Sequence, residues 1–298
     1  MTEISSSRTW QDRATLGMYV IILGQVVHVT GGIFEKMLLG VYPVPQMTFI
    51  RSLLRLAFLA TLLIKQKEIK SVFSMKQPLC NLLRIGTYVA YNYCMLYALS
   101  LSTLTASCSL LSATPFFTLL LSAWILKEKI SKYKWIALSI ATIGVGIAVR
   151  SSSGFEWVFL VILCGALIGS LNRILIRKLV ATEHSLTIAI TGNAALALLL
   201  VPFIFMDWLP VSWGDLGFFA IAAFLTAMGQ YATVQALRFA QPSTLAPFDY
   251  TSIIWAALFD FFIWDVIPSS YFVLGIVIIV ASNLYLIRSI KWQNSVSS

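Results

Sequence analysis

The chain has 298 residues, of which 59% are hydrophobic and 11% charged, and a formal net charge of +9. An ordinary soluble domain has about 45–50% apolar and about 25% charged residues, and a single core stops growing near this length, so the composition excludes a soluble fold. The basic residues stand in short clusters between apolar runs, which indicates cytoplasmic loops rather than a nucleic-acid-binding surface. We therefore predict an all-α polytopic membrane protein surrounded by lipid, without a nucleic-acid partner.

A transmembrane helix needs roughly 20 mostly apolar residues, and its backbone groups must pair within the segment because lipid offers no partners. After a polar N-terminal tail, residues 1–13, the chain contains ten such windows. They are residues 14–39, 46–64, 79–99, 103–126, 133–149, 156–177, 185–206, 214–236, 243–264 and 269–288. The stretch 79–126 is too long for one span, so we expect it to reverse near Ser100 and Ser102.

The distribution of Lys and Arg predicts the orientation, because these residues collect in cytoplasmic loops. With the N-terminus inside, 15 of them fall in inner segments and two, Lys36 and Arg150, in outer segments. A wrong number of spans would disturb this alternation. The asymmetry therefore favours ten spans across the cell inner membrane with both termini cytoplasmic, the C-terminal tail being residues 289–298.

The two halves of the chain repeat a pattern. Pro115–Glu128 and Ser252–Asp265 are apolar stretches of small and aromatic residues that end in an acid, and the second begins 137 residues after the first. Two five-span copies in series, residues 14–150 and 151–288, must insert with opposite orientations because five is an odd number. Inverted repeats of this kind place a binding site near the midplane and operate by alternating access.

Two stretches carry a resemblance to a known family. They are Pro115 through Leu126-Lys-Glu128 to Trp135 and Gly144, and Ala246-Pro-Phe-Asp-Tyr250 through Ile254-Trp-Ala-Ala257 to Asp265 and Gly275. Both are similar to the EamA repeat of the drug/metabolite transporter superfamily. The resemblance implies a ten-helix secondary transporter for a small metabolite, such as an amino acid, a nucleoside or S-adenosylmethionine.

Further residues refine this resemblance. Arg51 and Leu83-Arg84-x-Gly86 also resemble a bacterial subgroup that includes S-adenosylmethionine uptake carriers. The second copy departs from the family because it ends in Trp264-Asp265, where the family has Gly-Glu. This departure affects the expected contacts of the loop that follows and leaves the predicted fold unchanged.

Charged residues inside a membrane are costly, by about 2.5–3.5 kcal/mol on insertion scales, so we expect them to face a cavity or a partner. Arg55 lies roughly 15 Å below Pro45, near the midplane, and is a candidate for substrate binding. Arg51, one turn outward on the same face, is another. Arg173 is one turn from Arg177, so we expect it to anchor the inner edge of its helix.

A polar stripe is predicted on the third helix. Arg84 is followed at i+4 and i+8 by Tyr88 and Asn92, which share its helix face. Arg84 is close enough to the inner surface to extend toward it, but a polar stripe on an apolar helix favours a cavity. We therefore include all three among the substrate-binding candidates.

Asp249 is, in this interpretation, the only acid near the middle of a span. We expect a structural ion pair with Arg55 or Arg84, and consider proton transfer in coupled transport as the alternative. Either role makes Asp249 a site candidate.

Other candidates have packing roles as alternatives. Tyr250 and Trp255 either stack on a planar substrate or pack between helices. Gln230 is first an interhelical hydrogen-bond former and second a site residue, and His28 is either a packing residue or a proton relay. The segment Gly165-Ala-Leu-Ile-Gly169 permits close approach of another helix.

Together these residues predict a small-molecule substrate that has an anionic or zwitterionic group and an apolar or planar part. We expect no metal site and no cofactor, because the chain has only two histidines and no paired-cysteine motif. Neither an ATP-binding G-x-x-x-x-G-K-[ST] motif nor a hydrolase motif occurs, which favours a secondary transporter over an enzyme. The alternatives are a metabolite or multidrug efflux carrier of the same fold and a non-transporting membrane subunit.

Overall fold

The computed structural model describes residues 2–67, 75–101, 114–149, 157–202, 208–267 and 269–296. The regular structure in these ranges is helical. The helices are α1 Thr2–Leu39, α2 Val44–Lys65, α3 Pro78–Leu101, α4 Thr114–Ile125, α5 Lys132–Val149, α6 Trp157–Leu179, α7 Ser185–Leu200, α8 Trp213–Phe239, the interrupted helix α9 Pro242–Trp264, and α10 Ser270–Val296.

Every predicted window overlaps one of these helices, but α1 begins at Thr2 and α10 continues to Val296, so both include residues that we predicted as terminal tails. The described stretches that are long and apolar enough to cross a membrane are Arg13–Leu39, Val44–Lys65, Trp213–Phe239 and Pro242–Trp264. We expected the chain to reverse near Ser100 and Ser102: α3 continues past Ser100 to Leu101, and Ser102 lies outside the described ranges.

The helix starts follow from local sequence. Pro45 lies in the first turn of α2 and Pro242 opens α9, positions at which the missing N–H group costs no hydrogen bond. α8 begins after Ser212, whose hydroxyl accepts a hydrogen bond from the N–H group of Asp215 at 3.1 Å. Asp215 also places a negative charge in the first turn of α8, where the helix dipole favours it.

The helix pairs relate the two halves of the chain. α1 packs along α8, and α6 packs along α3. Exchanging α1–α5 with α6–α10 converts the first pair into the second. The same exchange leaves the pairs α2–α7, α4–α9 and α5–α10 unchanged, and each of these is also in contact.

Glycines allow the closest of these contacts. A Cβ atom added at Gly24 of α1 would lie 2.8 Å from the Cβ atom of Ala232 on α8. One added at Gly169 of α6 would lie 2.7 Å from the ring of Tyr91 on α3. The close approach predicted for the segment Gly165–Gly169 is therefore confirmed.

α4 and α9 end in the same way. Lys127 and Asp265 both adopt left-handed backbone angles, with φ of 52° and 53°. The following N–H groups, of Glu128 and Val266, then donate to carbonyl groups six residues earlier, each at 3.2 Å. Asp265 therefore corresponds to Lys127 and not to Glu128, so the offset at this point is one residue longer than the sequence comparison suggested.

α9 is interrupted where it passes the centre of the molecule. An α-helical turn, Pro242–Leu245, leads into a 3-10 turn, Ala246–Tyr250, before the α-helix resumes as Thr251–Trp264. Pro247 lies in the 3-10 turn, where it removes a backbone donor. The interruption is fully buried and presents Asp249 to the interior.

Candidate functional site

A cavity of about 170 Å³ lies between the two halves of the chain. Its wall comes from α1, α2, α3 and α4 on one side and from α6, α8 and α9 on the other. Its polar lining includes Gln25, His28, Arg55, Tyr88, Asn92, Asn172, Arg173, Gln230 and Asp249.

The first charged cluster is centred on Glu35 of α1. Its Oε2 atom accepts a hydrogen bond from Nη1 of Arg51 at 2.9 Å, and its Oε1 atom accepts one from Nη2 of Arg55 at 3.3 Å. The exposed fractions of Glu35, Arg51 and Arg55 are 5%, 3% and 3%. One carboxylate thus faces two guanidinium groups, which stay protonated in proteins, and the cluster keeps an excess positive charge.

Arg55 joins this cluster to the cavity. Its Nε atom donates to Oγ1 of Thr226 on α8 at 2.9 Å, and its Nη1 atom donates to the hydroxyl of Tyr88 at 3.5 Å. Arg51 turns toward α3 instead, where Nη2 donates to Oδ1 of Asn92 at 3.1 Å. Glu35 and Arg51, which do not line the cavity, therefore bind two residues that do, Arg55 and Asn92.

A chain of neutral hydrogen bonds continues from Tyr88. Its hydroxyl donates to Oδ1 of Asn193 on α7 at 2.9 Å, and Nδ2 of Asn193 donates to Oε1 of Gln230 on α8 at 3.0 Å. These bonds fix the orientation of both amides. Because α3 belongs to the first half and α7 and α8 to the second, the chain ties the two halves together beside the cavity.

The second charged cluster is centred on Asp249 in the interruption of α9. Its Oδ2 atom accepts a hydrogen bond from Nη1 of Arg173 on α6, and its Oδ1 atom accepts one from Nε2 of Gln25 on α1 at 2.7 Å. All three side chains line the cavity. The pair places a positive and a negative group side by side in its wall.

Arg84 lies behind the lining. Its Nε atom donates to Oδ1 of Asn81 and its Nη2 atom to Oγ1 of Thr191, both at 3.0 Å. Its guanidinium carbon lies 5.9 Å from the centre of the Tyr88 ring, within the range of a cation–π contact. Arg84 is only 1% exposed.

The cavity brings together five of the nine candidates from the sequence. Those that line it are Arg55, Tyr88, Asn92, Gln230 and Asp249. Arg51 and Arg84 contact lining residues without lining it themselves. Tyr250 is buried, with its hydroxyl 3.4 Å from Oγ1 of Thr142, and Trp255 packs against an apolar cluster, so both follow the packing alternative.

Two expectations about charged partners were wrong. Asp249 pairs with Arg173, not with Arg55 or Arg84. Arg173 accordingly faces the cavity rather than the inner edge of the membrane. Its position one turn from Arg177 did not reveal this, because α9 is interrupted at the same level and places an acid opposite it.

Sequence reasoning also missed Glu35, a buried acid with two arginine partners. The neighbouring Lys36 suggested an outer surface there, although Glu35 lies within the apolar stretch Arg13–Leu39. The available signal was that α2 carries two arginines, Arg51 and Arg55, within an apolar span, so a buried acid was needed to pair with them.

Among the described residues, no group of three or more His, Cys, Asp or Glu side chains is arranged to hold a metal ion.

The chain matches the EamA-like transporter family over residues 15–150 and again over residues 156–288. It belongs to that family. The EamA-like family consists of transporters, and the two matches account for the repeat seen in the sequence and in the helix pairs.

Several proteins named as transporters or exporters are similar in sequence to this chain. An S-adenosylmethionine uptake transporter of Rickettsia prowazekii is 24% identical over 196 residues, which is 65% of this chain and 67% of the relative. The pseudopaline exporter CntI of Pseudomonas aeruginosa is 25% identical over 204 residues, 67% of this chain and 72% of the exporter. A riboflavin transporter of Rhizobium johnstonii is 25% identical over 191 residues, 61% of each chain.

The fold is also shared with a protein of known crystal structure. The two superpose with a TM-score of 0.74 over 91% of this chain and 95% of the other, at 16% sequence identity. The shared fold agrees with the family match, by which this EamA-like chain is a helical membrane protein of a transporter family.

Proposed function

We propose that the protein is a secondary transporter that carries a small organic solute across the cytoplasmic membrane by alternating access. Ten helices cross the membrane as two inverted five-helix units with both termini cytoplasmic. The observation that carries the proposal is the cavity, whose charged lining comes from both units: Arg55 from the first, Arg173 and Asp249 from the second. A solute bound there contacts both units, so it responds to any movement of one against the other.

The solute has an acidic group, either alone or as part of a zwitterion. Arg55 offers a positive group and Asp249 a negative one, and two further arginines, Arg51 and Arg84, lie directly behind the wall. Tyr88 and Tyr91 add aromatic surface beside these charges. S-adenosylmethionine combines a zwitterionic group with a planar base, and a relative is an uptake transporter for it, so it is the first solute to test.

Contacts at the outer end close the cavity on that side. The hydroxyl of Tyr42, between α1 and α2, donates to Oδ2 of Asp215 at the start of α8 at 2.7 Å. Gln46 of α2 exchanges hydrogen bonds with the backbone of Leu209, at 2.7 and 3.0 Å. The bond to Asp215 raises the pKa of Tyr42, so this hydroxyl keeps its proton at neutral pH. We call the contact between Tyr42 and Asp215 the outer latch.

A related contact closes the inner end. The Oε1 atom of Glu183, between α6 and α7, accepts hydrogen bonds from the N–H groups of Lys76 at 2.6 Å and Gln77 at 3.2 Å, just before α3. Exchanging the two halves of the chain converts the outer latch into this inner latch. Alternating access then consists of opening one latch while the other stays closed.

The proposal is tested by uptake of labelled S-adenosylmethionine into proteoliposomes, beside a comparison of all metabolites in cells with and without the protein. We expect accumulation or depletion of a zwitterionic or anionic solute, which is lost in Arg55→Ala. Both directions are covered, because the relatives include an uptake transporter and an exporter. Identical metabolite profiles with and without the protein would contradict transport and favour a membrane subunit.

A further inference from the structure

Glu35 contacts the residues that shape the cavity without lining it. Its two carboxylate oxygens bind different arginines, Oε2 with Arg51 and Oε1 with Arg55. Arg55 lines the cavity itself, and Arg51 donates to Asn92, which also lines it. One buried side chain on α1 therefore orients lining groups on both α2 and α3.

Glu35 also determines the charge of this part of the cavity. It cancels one of the two positive charges of Arg51 and Arg55, and these bonds are buried. The cluster around Asp249 has one acid and one arginine and is balanced. Removing the charge of Glu35 would leave two uncompensated guanidinium groups on one side of the solute.

We propose that Glu35 is the positioning residue that sets the charge preference of the cavity. It holds Arg55 and Asn92 in place and leaves the cluster of Glu35, Arg51 and Arg55 with one excess positive charge, so that the Arg55 end accepts a solute with an anionic group. This inference rests on the proposed transport function for the identity of the solute, but not for the charge of the cavity.

The charge of the cavity is measurable without a known solute. Met95 lines the cavity one turn from Asn92 and supplies a position for a reporter thiol. The experiment uses the full chain as Met95→Cys, after replacement of the native cysteines with alanine. It compares the labelling rates of an anionic and a cationic methanethiosulfonate reagent. The native cysteines are Cys80, Cys94, Cys108 and Cys164.

The ratio of the anionic rate to the cationic rate should rise about tenfold in Glu35→Gln, because one negative charge is removed at a distance on the order of 10 Å. Glu35→Asp keeps the charge and should leave the ratio near that of the parent. The matched control is Asp265→Asn. It also removes one negative charge, but Asp265 lies just after the end of α9 and does not line the cavity. A ratio unchanged in Glu35→Gln, or changed equally in Asp265→Asn, would overturn the inference.

This result is independent of transport. If the protein moves no solute but shows the tenfold change, the role of Glu35 stands and the proposed function is contradicted. If the protein transports a solute but the labelling ratio is the same in Glu35→Gln as in the parent, the proposed function stands and the role of Glu35 is contradicted.

Discussion

Arg173 of α6 and Asp249 of α9 form an ion pair in the wall of the cavity. The pair forms because α9 is interrupted by a 3-10 turn at the depth where α6 presents its arginine. Asp249 is buried and Arg173 is partly exposed to the cavity, and removing either partner leaves the other charged and unpaired.

The first prediction concerns this pair. Asp249→Asn leaves the Arg173 charge uncompensated and should lower stability by less than the ~3–5 kcal/mol of a fully buried pair, because Arg173 is partly exposed, whereas the double variant Arg173→Gln/Asp249→Asn should recover part of that loss. Thermal unfolding in detergent measures both. If the double variant unfolds at or below the temperature of Asp249→Asn, the two groups do not act as a pair.

The second prediction separates Arg55 from Glu35. Arg55→Ala leaves Glu35 paired with Arg51 and removes the excess positive charge of the cluster, so no buried charge loses its partner and the protein should express and unfold like the parent. Glu35→Ala leaves two like charges buried together and should cost about 3–5 kcal/mol. Transport, however, should be lost in Arg55→Ala. Equal thermal destabilisation by the two variants would show that the charge balance of this cluster does not determine the stability of the protein.

The third prediction concerns the latches. The paired variant Tyr42→Cys/Asp215→Cys, in a chain without native cysteines, should be bridged by a bifunctional methanethiosulfonate reagent that spans the gap left by the two larger side chains. The bridge should stop transport, and reduction should restore it. Lys76→Cys/Glu183→Cys should do the same at the inner end. Each single-cysteine variant is the control for its pair. Full transport by either cross-linked protein would mean that the latch does not have to open.

The fourth prediction follows from the left-handed residue after α4. A side chain costs about 1–2 kcal/mol in this conformation, and glycine avoids the cost, so Lys127→Gly should raise stability by about 1 kcal/mol. Lys127→Ala keeps the Cβ atom and is the matched control, with no gain expected. Thermal unfolding of the two variants measures the difference. A more stable Lys127→Ala would assign the effect to loss of the lysine charge.

The sequence was most informative where one physical signal dominated. Long apolar runs predicted where the helices lie, and Pro45 and Pro242 stand in the first turns of two of them. Intramembrane charge drew attention to Arg55 and Asp249, which do line the cavity.

The pairing of charges was not predictable in the same way. Glu35 meets Arg51 and Arg55, and Asp249 meets Arg173, only because of how the helices pack, and no spacing along one helix encodes a contact with another. The register of the repeat was similarly one residue off, because the acid of Trp264-Asp265 looked equivalent to Glu128 while its backbone occupies the position of Lys127.

The central claim, alternating access to one cavity, is tested most directly by labelling Thr233→Cys, a lining position, with a membrane-impermeant thiol reagent from each side. The parent should be labelled from both sides. With the outer latch cross-linked it should be labelled only from the cytoplasm, and with the inner latch cross-linked only from outside. Labelling from one side alone, whichever latch is locked, would contradict the account.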